Sequence, residues 1–272
     1  MVDIRWLGTA GLEIAFAGTT LLVDPYLTRA GKLDLLFRRL RPSADRLRAY
    51  VRGLGGRVSA IVCGHTHFDH ALDIPFLAQE TGCPLVGSPS LKTLAGLSGI
   101  RAGMHVCRGG EEVELPGGAS VRMIPSRHGR VLFGRVPYPG EIDPRAGLPF
   151  KAGQYRLGAM FMPRIEAGGV SIVHQGSAGC LPEELEGLRC DILFLCVPGW
   201  KKTPGYPDAC IELLKPGVVI PFHFDDFTTE LPGSGPVRRL PGSDLEGFIA
   251  RVSRHAPSLE VRVPDPREVM RF

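Results

Sequence analysis

A short apolar run from Val58 to Cys63 (VSAIVC) is followed, after Gly64, by the six residues HTHFDH. The run is short, uncharged and rich in β-branched residues, which is typical of a buried strand. The next six residues carry three imidazoles, His65, His67 and His70, and one carboxylate, Asp69. Burying several titratable groups side by side costs free energy unless a metal or other partners satisfy them. Because such nitrogen and oxygen donors suit zinc, iron or manganese, the sequence predicts a metal centre where a buried strand ends.

Short apolar runs and segments of helical spacing alternate along the rest of the chain. The runs Ile4 to Leu7, Leu12 to Phe16 and Thr19 to Val23 predict three consecutive antiparallel strands. Further strands are predicted at 84–86, 113–124 (as a hairpin), 155–162, 169–174, 191–197, 218–222 and 259–263. Helices are predicted at 32–52 (broken at Pro42), 73–80, 88–97, 182–187, 207–214 and 243–254. This alternation predicts a layered α/β protein, and we expect one domain over residues 1–272 because no linker or repeat interrupts it.

Charge and cysteine content restrict the class of partner. The 32 basic and 28 acidic residues are dispersed, so we expect no nucleic-acid partner. The Arg-rich stretch 38–52 could bind phosphate, but a solvated helix face is the preferred interpretation. Seven cysteines without a CxxC pair indicate neither a disulfide framework nor a cysteine zinc site. No apolar run approaches the roughly 20 residues of a membrane span. We therefore expect a soluble, cytoplasmic protein with a small-molecule substrate, and homo-oligomers remain open.

The run HTHFDH also matches the HxHxDH signature, and the chain resembles the metallo-β-lactamase superfamily. The resemblance extends to Asp24-Pro25, to His128, to Gly176-Ser177 and to His223 after the run VVIPF. It implies an α/β fold, a four-layer αβ/βα sandwich with the metal site at one edge of its two sheets. It further implies two ligand sets, His65, His67 and His128 for one ion and Asp69, His70 and His223 for a second.

Ser177 departs from the family pattern, which usually has Gly-Asp here with the carboxylate bridging two metals. A serine hydroxyl adds no negative charge between two cations, so the chain could hold one ion or two. Asp225 and Asp226 are candidate replacements. Alternate residues of a strand face one side, so Asp225 could point with His223 toward the metals, and Asp226 could do so if the backbone turns. Alternatively, these acids cap the following turn or orient a histidine.

Several other residues have predicted supporting roles. His174 is expected to pack or to support a ligand, and Asp24 to form a hydrogen bond to the histidine-bearing loop that orients its ligands. Asp69 is the candidate catalytic residue, because it could orient the attacking water and pass a proton to the leaving group if it binds no second ion. Trp200 and Lys201 are candidates for binding an anionic or aromatic part of the substrate.

The segment Arg130 to Lys151 is rich in Pro and Gly and is predicted to be a long loop that shapes the substrate pocket. Its apolar side chains would line that pocket: Phe133, Val136, Pro137, Tyr138, Leu148 and Phe150.

An ion held by three neutral histidines lowers the pKa of its bound water toward about 7, so the predicted activity is metal-dependent hydrolysis. The N-terminal half resembles the branch that contains the lactonases of ascorbate breakdown and the phospholipid-cleaving phosphodiesterases. This resemblance implies an ester, lactone or phosphodiester substrate, with a carboxylic ester or lactone preferred. Zinc is the predicted ion, with Mn2+ or Fe2+ as alternatives. An iron-binding redox enzyme or a non-catalytic metal-binding module on the same fold is the competing hypothesis.

Overall fold

The computed structural model describes residues 1–101, 103–131 and 134–272. Two seven-stranded sheets form its centre. The strands of the first sheet are β1 (Asp3–Gly8), β2 (Gly11–Phe16), β3 (Thr19–Val23), β4 (Arg57–Val62), β5 (Leu85–Gly87), β6 (Met104–Val106) and β14 (Val269–Arg271). They lie in the order β14-β1-β2-β3-β4-β5-β6. The first three strands pair antiparallel as predicted, whereas β3 to β6 run parallel to one another.

The second sheet has the order β13-β12-β11-β10-β9-β8-β7. Its strands are β7 (Glu112–Leu115), β8 (Ala119–Pro125), β9 (Phe161–Ala167), β10 (Val170–Gln175), β11 (Ile192–Cys196), β12 (Val218–Phe222) and β13 (Glu260–Val261). Strands β10 to β13 are parallel, and β7, β8, β9 and β10 form an antiparallel meander. The predicted strand 155–162 is wrong in its bounds, because β9 begins only at Phe161. The short edge strands β6 and β14 lacked a periodic signal long enough to predict.

Helices cover the outer faces of both sheets. They are α1 (Lys32–Phe37), α2 (Ala44–Gly53), α3 (Phe68–Ala71), α4 (Ile74–Thr81), α5 (Pro89–Leu97), α6 (Pro182–Leu185), α7 (Asp208–Leu214) and α8 (Leu245–His255). Successive residues of a strand point to opposite faces, so Leu21 and Val23 pack in the core between the sheets, whereas Leu22 packs under the outer helices. This layering confirms the predicted four-layer αβ/βα sandwich.

Several strands of both sheets end at the same edge. Strands β3 and β4 of the first sheet are parallel, and β8, β10 and β12 of the second sheet share one direction. The candidate ligands follow the carboxyl ends of these strands, at positions where the backbone leaves the ladder and polar side chains become available. Within the described residues, no helix is long and apolar enough to cross a membrane.

Candidate metal centre

The run HTHFDH is held in place by backbone contacts on both sides. Two residues before the run, Cys63 N donates to Val86 O of β5 at 2.9 Å. In its middle, Thr66 N donates to Leu157 O at 3.0 Å. His67 stands at the N-cap of α3, where Ala71 N donates to its carbonyl at 2.9 Å. The chain therefore turns sharply from strand to helix, and this turn gathers four chemically active side chains in one buried place.

The first ligand group consists of His65, His67 and His128, whose donor atoms all lie within 4.8 Å of one another. His65 Nε2 and His67 Nδ1 are 3.1 Å apart. One ring nitrogen of His67 and one of His128 face backbone carbonyls: His67 Nε2 lies 2.9 Å from Pro137 O, and His128 Nδ1 lies 2.7 Å from Gly129 O. Carbonyls only accept hydrogen bonds, so these two nitrogens carry the protons, and the ring lone pairs lie on His67 Nδ1 and His128 Nε2.

Burial keeps these three imidazoles neutral. It lowers the pKa of His67 to about 3 and that of His128 to about 4, and it holds the pKa of His65 well below its ordinary value. Neighbouring histidines add to the effect, because each charged ring would repel the next. Neutral imidazole is the form that binds a cation, so the group is ready to act as a ligand at neutral pH.

The second group consists of Asp69, His70 and His223. Asp69 Oδ2 lies 3.4 Å from His223 Nε2 and 3.9 Å from His70 Nε2. Burial alone would raise the pKa of Asp69, but His70 and His223 together hold it below its ordinary value. The group therefore offers one anionic oxygen and two nitrogens.

Asp24 follows β3 and contacts the backbone next to the first ligand group and a histidine of the second. Its Oδ1 accepts a hydrogen bond from Gly64 N at 2.7 Å, and its Oδ2 lies 2.7 Å from His70 Nδ1. The carboxylate fixes the proton on His70 Nδ1 and directs Nε2 toward the second group. A Cβ atom on Gly176 would stand 3.1 Å from Asp24 Oδ2, so glycine there allows the backbone to approach this carboxylate. Asp24 also forms a third potential ligand group with His65 and His70.

The residues present fit a divalent cation. The two main groups supply only nitrogen and carboxylate oxygen, a donor set that suits zinc, iron and manganese. His65 Nδ1 and His223 Nδ1 are buried and have no hydrogen-bond partner among the described residues. Such atoms are costly to bury, so an ion or water that satisfied part of this cluster would stabilise it.

Ser177 and His174 lie next to these groups, and Ser177 Oγ and His174 Nε2 each have a backbone partner. Ser177 Oγ accepts a hydrogen bond from Gly129 N at 3.0 Å, which ties the end of β10 to the loop that carries His128. His174 Nε2 donates to Ala10 O at 2.7 Å, and its ring is fully buried. Both therefore brace the site.

Asp225 and Asp226 lie outside the ligand groups. Asp225 Oδ2 pairs with Arg29 Nη1 at 2.5 Å, and its Oδ1 accepts from Thr9 N at 2.8 Å. Asp226 Oδ1 accepts hydrogen bonds from the backbone N–H and hydroxyl of Thr228, which caps the following turn. The contacts of Asp226 are those of the turn cap named as an alternative, whereas Asp225 contacts neither a histidine nor the following turn.

Trp200 and Lys201 are both tied to Asp244 at the start of α8. Trp200 Nε1 donates to Asp244 O at 3.2 Å, and Lys201 Nζ pairs with Asp244 Oδ2 at 2.5 Å. The Trp200 ring also packs edge-on against Phe248 at 5.9 Å. The structure thus gives both side chains a role in anchoring α8 and places neither in a ligand group.

The loop 130–151 does reach the metal centre. Among the described residues, no α-helix or strand lies between Pro125 and Phe161. The Tyr138 ring stands 6.2 Å from the His67 ring and is 38% exposed. Phe150 was predicted to line the pocket, and this is wrong because it is fully buried in the core under the outer helices. Phe133 lies outside the described residues.

The sequence did not predict two contributions to the site. Pro137 was expected only to line the pocket, but it also contacts His67 through its backbone carbonyl, a role that no side-chain pattern identifies. Arg29 is the buried cation that neutralises Asp225, with its side chain only 2% exposed. It follows Asp24-Pro25 in an irregular segment, where neither periodicity nor a motif distinguishes it from a surface arginine.

The sequence and the fold of the chain are similar to those of known proteins. A protein of Pyrobaculum arsenaticum named UPF0173 metal-dependent hydrolase is 26% identical over 276 residues, which covers all of both chains. The structure of Igni18, described as a novel metallo hydrolase from Ignicoccus hospitalis, covers 100% of this chain and 98% of its own, with a TM-score of 0.65 and 18% identity. CmlA, described as a diiron beta-hydroxylase from Streptomyces venezuelae, has a TM-score of 0.62 and 15% identity and covers 100% of this chain and 54% of its own. Residues 3–223 match the family described as the beta-lactamase superfamily domain, and the chain therefore belongs to that family.

Proposed function

We propose that this protein is a metal-dependent hydrolase that cleaves an ester, lactone or phosphodiester bond of a small molecule, with a carboxylic ester or lactone preferred. The observation that carries the proposal is the presence of two adjacent ligand groups, His65, His67 and His128 beside Asp69, His70 and His223. The name of the Pyrobaculum arsenaticum relative supports the same class of reaction.

A divalent cation in the first group would supply Lewis acidity and make water a nucleophile near neutral pH. The chain's own residues prepare for this in two ways. Burial keeps the three imidazoles neutral, and the carbonyls of Pro137 and Gly129 fix which ring nitrogen of His67 and of His128 remains free. The ligand set is thus preorganised, which lowers the cost of assembling it around an ion.

Asp69 is the proposed catalytic carboxylate. His70 and His223 hold its pKa below the ordinary value, so it is ionised at neutral pH and acts as an acceptor. A group with so low a pKa is a weak proton donor, because general acids work best when their pKa lies near the working pH. Asp69 therefore orients a water molecule or holds a second ion more readily than it delivers a proton to the leaving group.

Tyr138 is the proposed contact for the substrate. Its ring lies beside that of His67 and is partly exposed, so its hydroxyl can meet a substrate bound at the first group. The half-buried residues Val136 and Pro137 precede it and make this wall of the site partly apolar. Such a wall suits the organic part of an ester or lactone better than a highly charged substrate.

We propose zinc as the ion and expect the two groups to bind it with unequal affinity. Ser177 supplies no bridging charge and is already engaged by Gly129 N, so two cations held close together would repel each other with less compensation. The variant Ser177→Asp should raise the affinity for a second ion, as measured by titration calorimetry. Equal affinity for both ions in the wild type would contradict this expectation.

An iron-dependent redox activity is the second candidate. It is favoured by a donor set of nitrogen and carboxylate oxygen, which suits iron as well as zinc, and by the likeness in fold to CmlA, whose description includes a diiron centre. Metal analysis of protein purified without added metal, together with the visible absorption spectrum, separates the two candidates.

The decisive test combines metal content with hydrolysis. Protein loaded with zinc, manganese or ferrous iron is assayed on p-nitrophenyl esters, on lactones and on bis(p-nitrophenyl) phosphate. The variant His67→Ala should lose both bound metal and activity, whereas His105→Ala removes an exposed histidine of β6 and should lose neither. Full metal content with no hydrolysis of any of the three bond types would overturn the proposed reaction.

A further inference from the structure

Helix α1 exposes its apolar side chains. Leu33, Leu36 and Phe37 are 70%, 69% and 72% exposed, respectively. Their spacing of three and four residues puts them on one face of the helix. Leu35, on the opposite face, packs against the core under the outer helices and anchors α1 to the protein. Single exposed apolar residues are ordinary, but three on one helical face mark a surface that contacts something else.

Basic residues flank this face. Lys32, Arg38, Arg39 and Arg41 are exposed. Asp34, the one acidic residue of the same segment, pairs with Arg38 at 3.2 Å, and Lys32 Nζ lies 4.0 Å from Asp226 Oδ2 outside the segment. Residues 32–41 therefore carry a net charge of +3 beside three exposed apolar side chains. We call this segment the α1 patch.

We propose that the α1 patch binds the surface of an anionic lipid bilayer. The apolar side chains of a short amphipathic helix enter the boundary between headgroups and acyl chains, while its cations attract anionic headgroups. The combination of the three apolar side chains with a net positive charge provides both interactions at one place. The proposal is independent of the reaction proposed above, because it concerns where the protein binds and not what it cleaves.

A second copy of the chain fits the patch less well. A helix of six residues is only about 9 Å long, whereas a stable protein interface uses about 20–30 residues on each side. Two copies meeting through the patch would also bring the same positive charges together, which opposes association. Anionic lipid has neither disadvantage.

The patch lies next to the loop that borders the metal centre. Leu40 N donates to Phe150 O at 2.6 Å, and Arg39 Nη1 donates to Pro149 O at 2.8 Å. The same loop 130–151 contacts His67 through the carbonyl of Pro137. A bilayer bound to α1 would therefore lie beside an element that shapes the proposed active site.

Sedimentation with vesicles tests the proposal on the metal-loaded protein of residues 1–272. Vesicles of equal parts phosphatidylcholine and phosphatidylglycerol should carry the protein into the pellet, whereas vesicles of phosphatidylcholine alone should not. Raising the salt concentration should release it, because salt screens attraction between exposed charges. Wild-type protein that stays in the supernatant with both kinds of vesicle would refute the proposal.

Two sets of variants separate the apolar and the charged contributions. The triple variant Leu33→Ser/Leu36→Ser/Phe37→Ser should abolish sedimentation, and Val263→Ser, at a residue 45% exposed elsewhere, should leave it unchanged. Arg38→Gln/Arg41→Gln should weaken binding about 25-fold, since each basic residue near an anionic surface contributes about fivefold. The matched control Arg189→Gln/Arg254→Gln removes two exposed arginines outside the patch.

The folded state of each variant is checked by its metal content and circular dichroism. A triple variant that sediments like the wild type would overturn the proposal. A second outcome would also overturn it: the wild type binds no vesicles and is a dimer by light scattering, whereas the triple variant is a monomer. That result would assign the patch to a second copy of this chain. Hydrolysis of a water-dissolved ester should be unchanged in the triple variant, so failure of the lipid proposal and failure of the proposed reaction are distinguishable.

Discussion

The buried pair of Arg29 and Asp225 is the contact whose removal should affect the protein most. Arg29 Nη1 lies 2.5 Å from Asp225 Oδ2, and the two side chains are only 2% and 1% exposed. Asp225 Oδ1 also accepts a hydrogen bond from Thr9 N, and Arg29 Nη2 donates to Leu7 O at 3.2 Å. The pair therefore joins the turn between β1 and β2 to the segment that follows β12.

The variant Arg29→Met keeps much of the side-chain volume and removes the charge. It leaves the Asp225 carboxylate buried with one remaining donor, Thr9 N, at 2.8 Å. Removing one partner of a buried ion pair costs about 3–5 kcal/mol. In a chain of this size, that loss lowers the melting temperature by roughly 6–20 °C.

Urea denaturation of metal-loaded protein measures this loss. The control Arg145→Met breaks an exposed ion pair, since the side chains of Arg145 and Asp143 are 89% and 51% exposed, respectively. It should change the free energy of unfolding by less than about 0.5 kcal/mol. The double variant Arg29→Met/Asp225→Asn should lose less than the sum of the two single changes, because no unpaired buried charge remains. A loss below about 1 kcal/mol for Arg29→Met alone would refute the reasoning.

Three further predictions concern other buried groups. Asp24→Asn should weaken metal affinity about 10–100-fold, because the carboxylate orients His70. Burial raises the pKa of Asp73 to about 6, so the folded state holds that proton more tightly than the unfolded chain. The resulting stabilisation is fully present below the ordinary pKa of 3.8 and is lost as the pH rises through about 6. Between acid and neutral pH, the free energy of unfolding of the wild type should therefore fall by up to about 3 kcal/mol relative to that of Asp73→Asn. Gly8→Ala should destabilise the protein far more than Gly18→Ala. Both glycines have a positive φ, but an added Cβ at Gly8 would lie 1.5 Å from Arg29 Nη2, whereas at Gly18 it would meet no atom within 4 Å.

Each of these three predictions has its own measurement and contrary result. Chelator competition measures the metal affinity of Asp24→Asn. The control is Asp191→Asn, which removes a carboxylate that lies away from the site and accepts a hydrogen bond from Ser171 N. Equal metal affinities in the two variants would contradict the prediction. Urea curves at several pH values test the second, and a pH-independent difference between wild type and variant would exclude it. The third compares melting temperatures, and equal losses in the two alanine variants would show that Arg29 moves aside without cost.

The sequence could predict much of the fold because its signals are local. β-Branched runs such as Val58 to Cys63 and the apolar spacing of α5 and α8 report which face of an element is buried, and the confirmed layers follow from that pattern. The donor-rich run HTHFDH could be recognised for the same reason, since its members are neighbours in the chain. His128 and His223 are distant from that run in the chain, so local patterns could not predict that they lie beside it. Only the resemblance to a family implied this contact.

Asp225 shows why local reasoning stops at the end of a strand. Its expected orientation beside His223 assumed that β12 continues, so that alternate residues share a face. Strand β12 ends at Phe222, and His223 has a φ of +64°, in the left-handed region. That turn directs His223 toward Asp69 and sends Asp225 the other way, to a cation that lies 196 positions earlier in the chain. A residue in this conformation breaks the alternation on which the prediction depended, and nothing in the residues PFHFDD marks it. The turn that positions His223 therefore leaves Asp225 outside both ligand groups, and this supports the proposal that the two groups bind ions with unequal affinity.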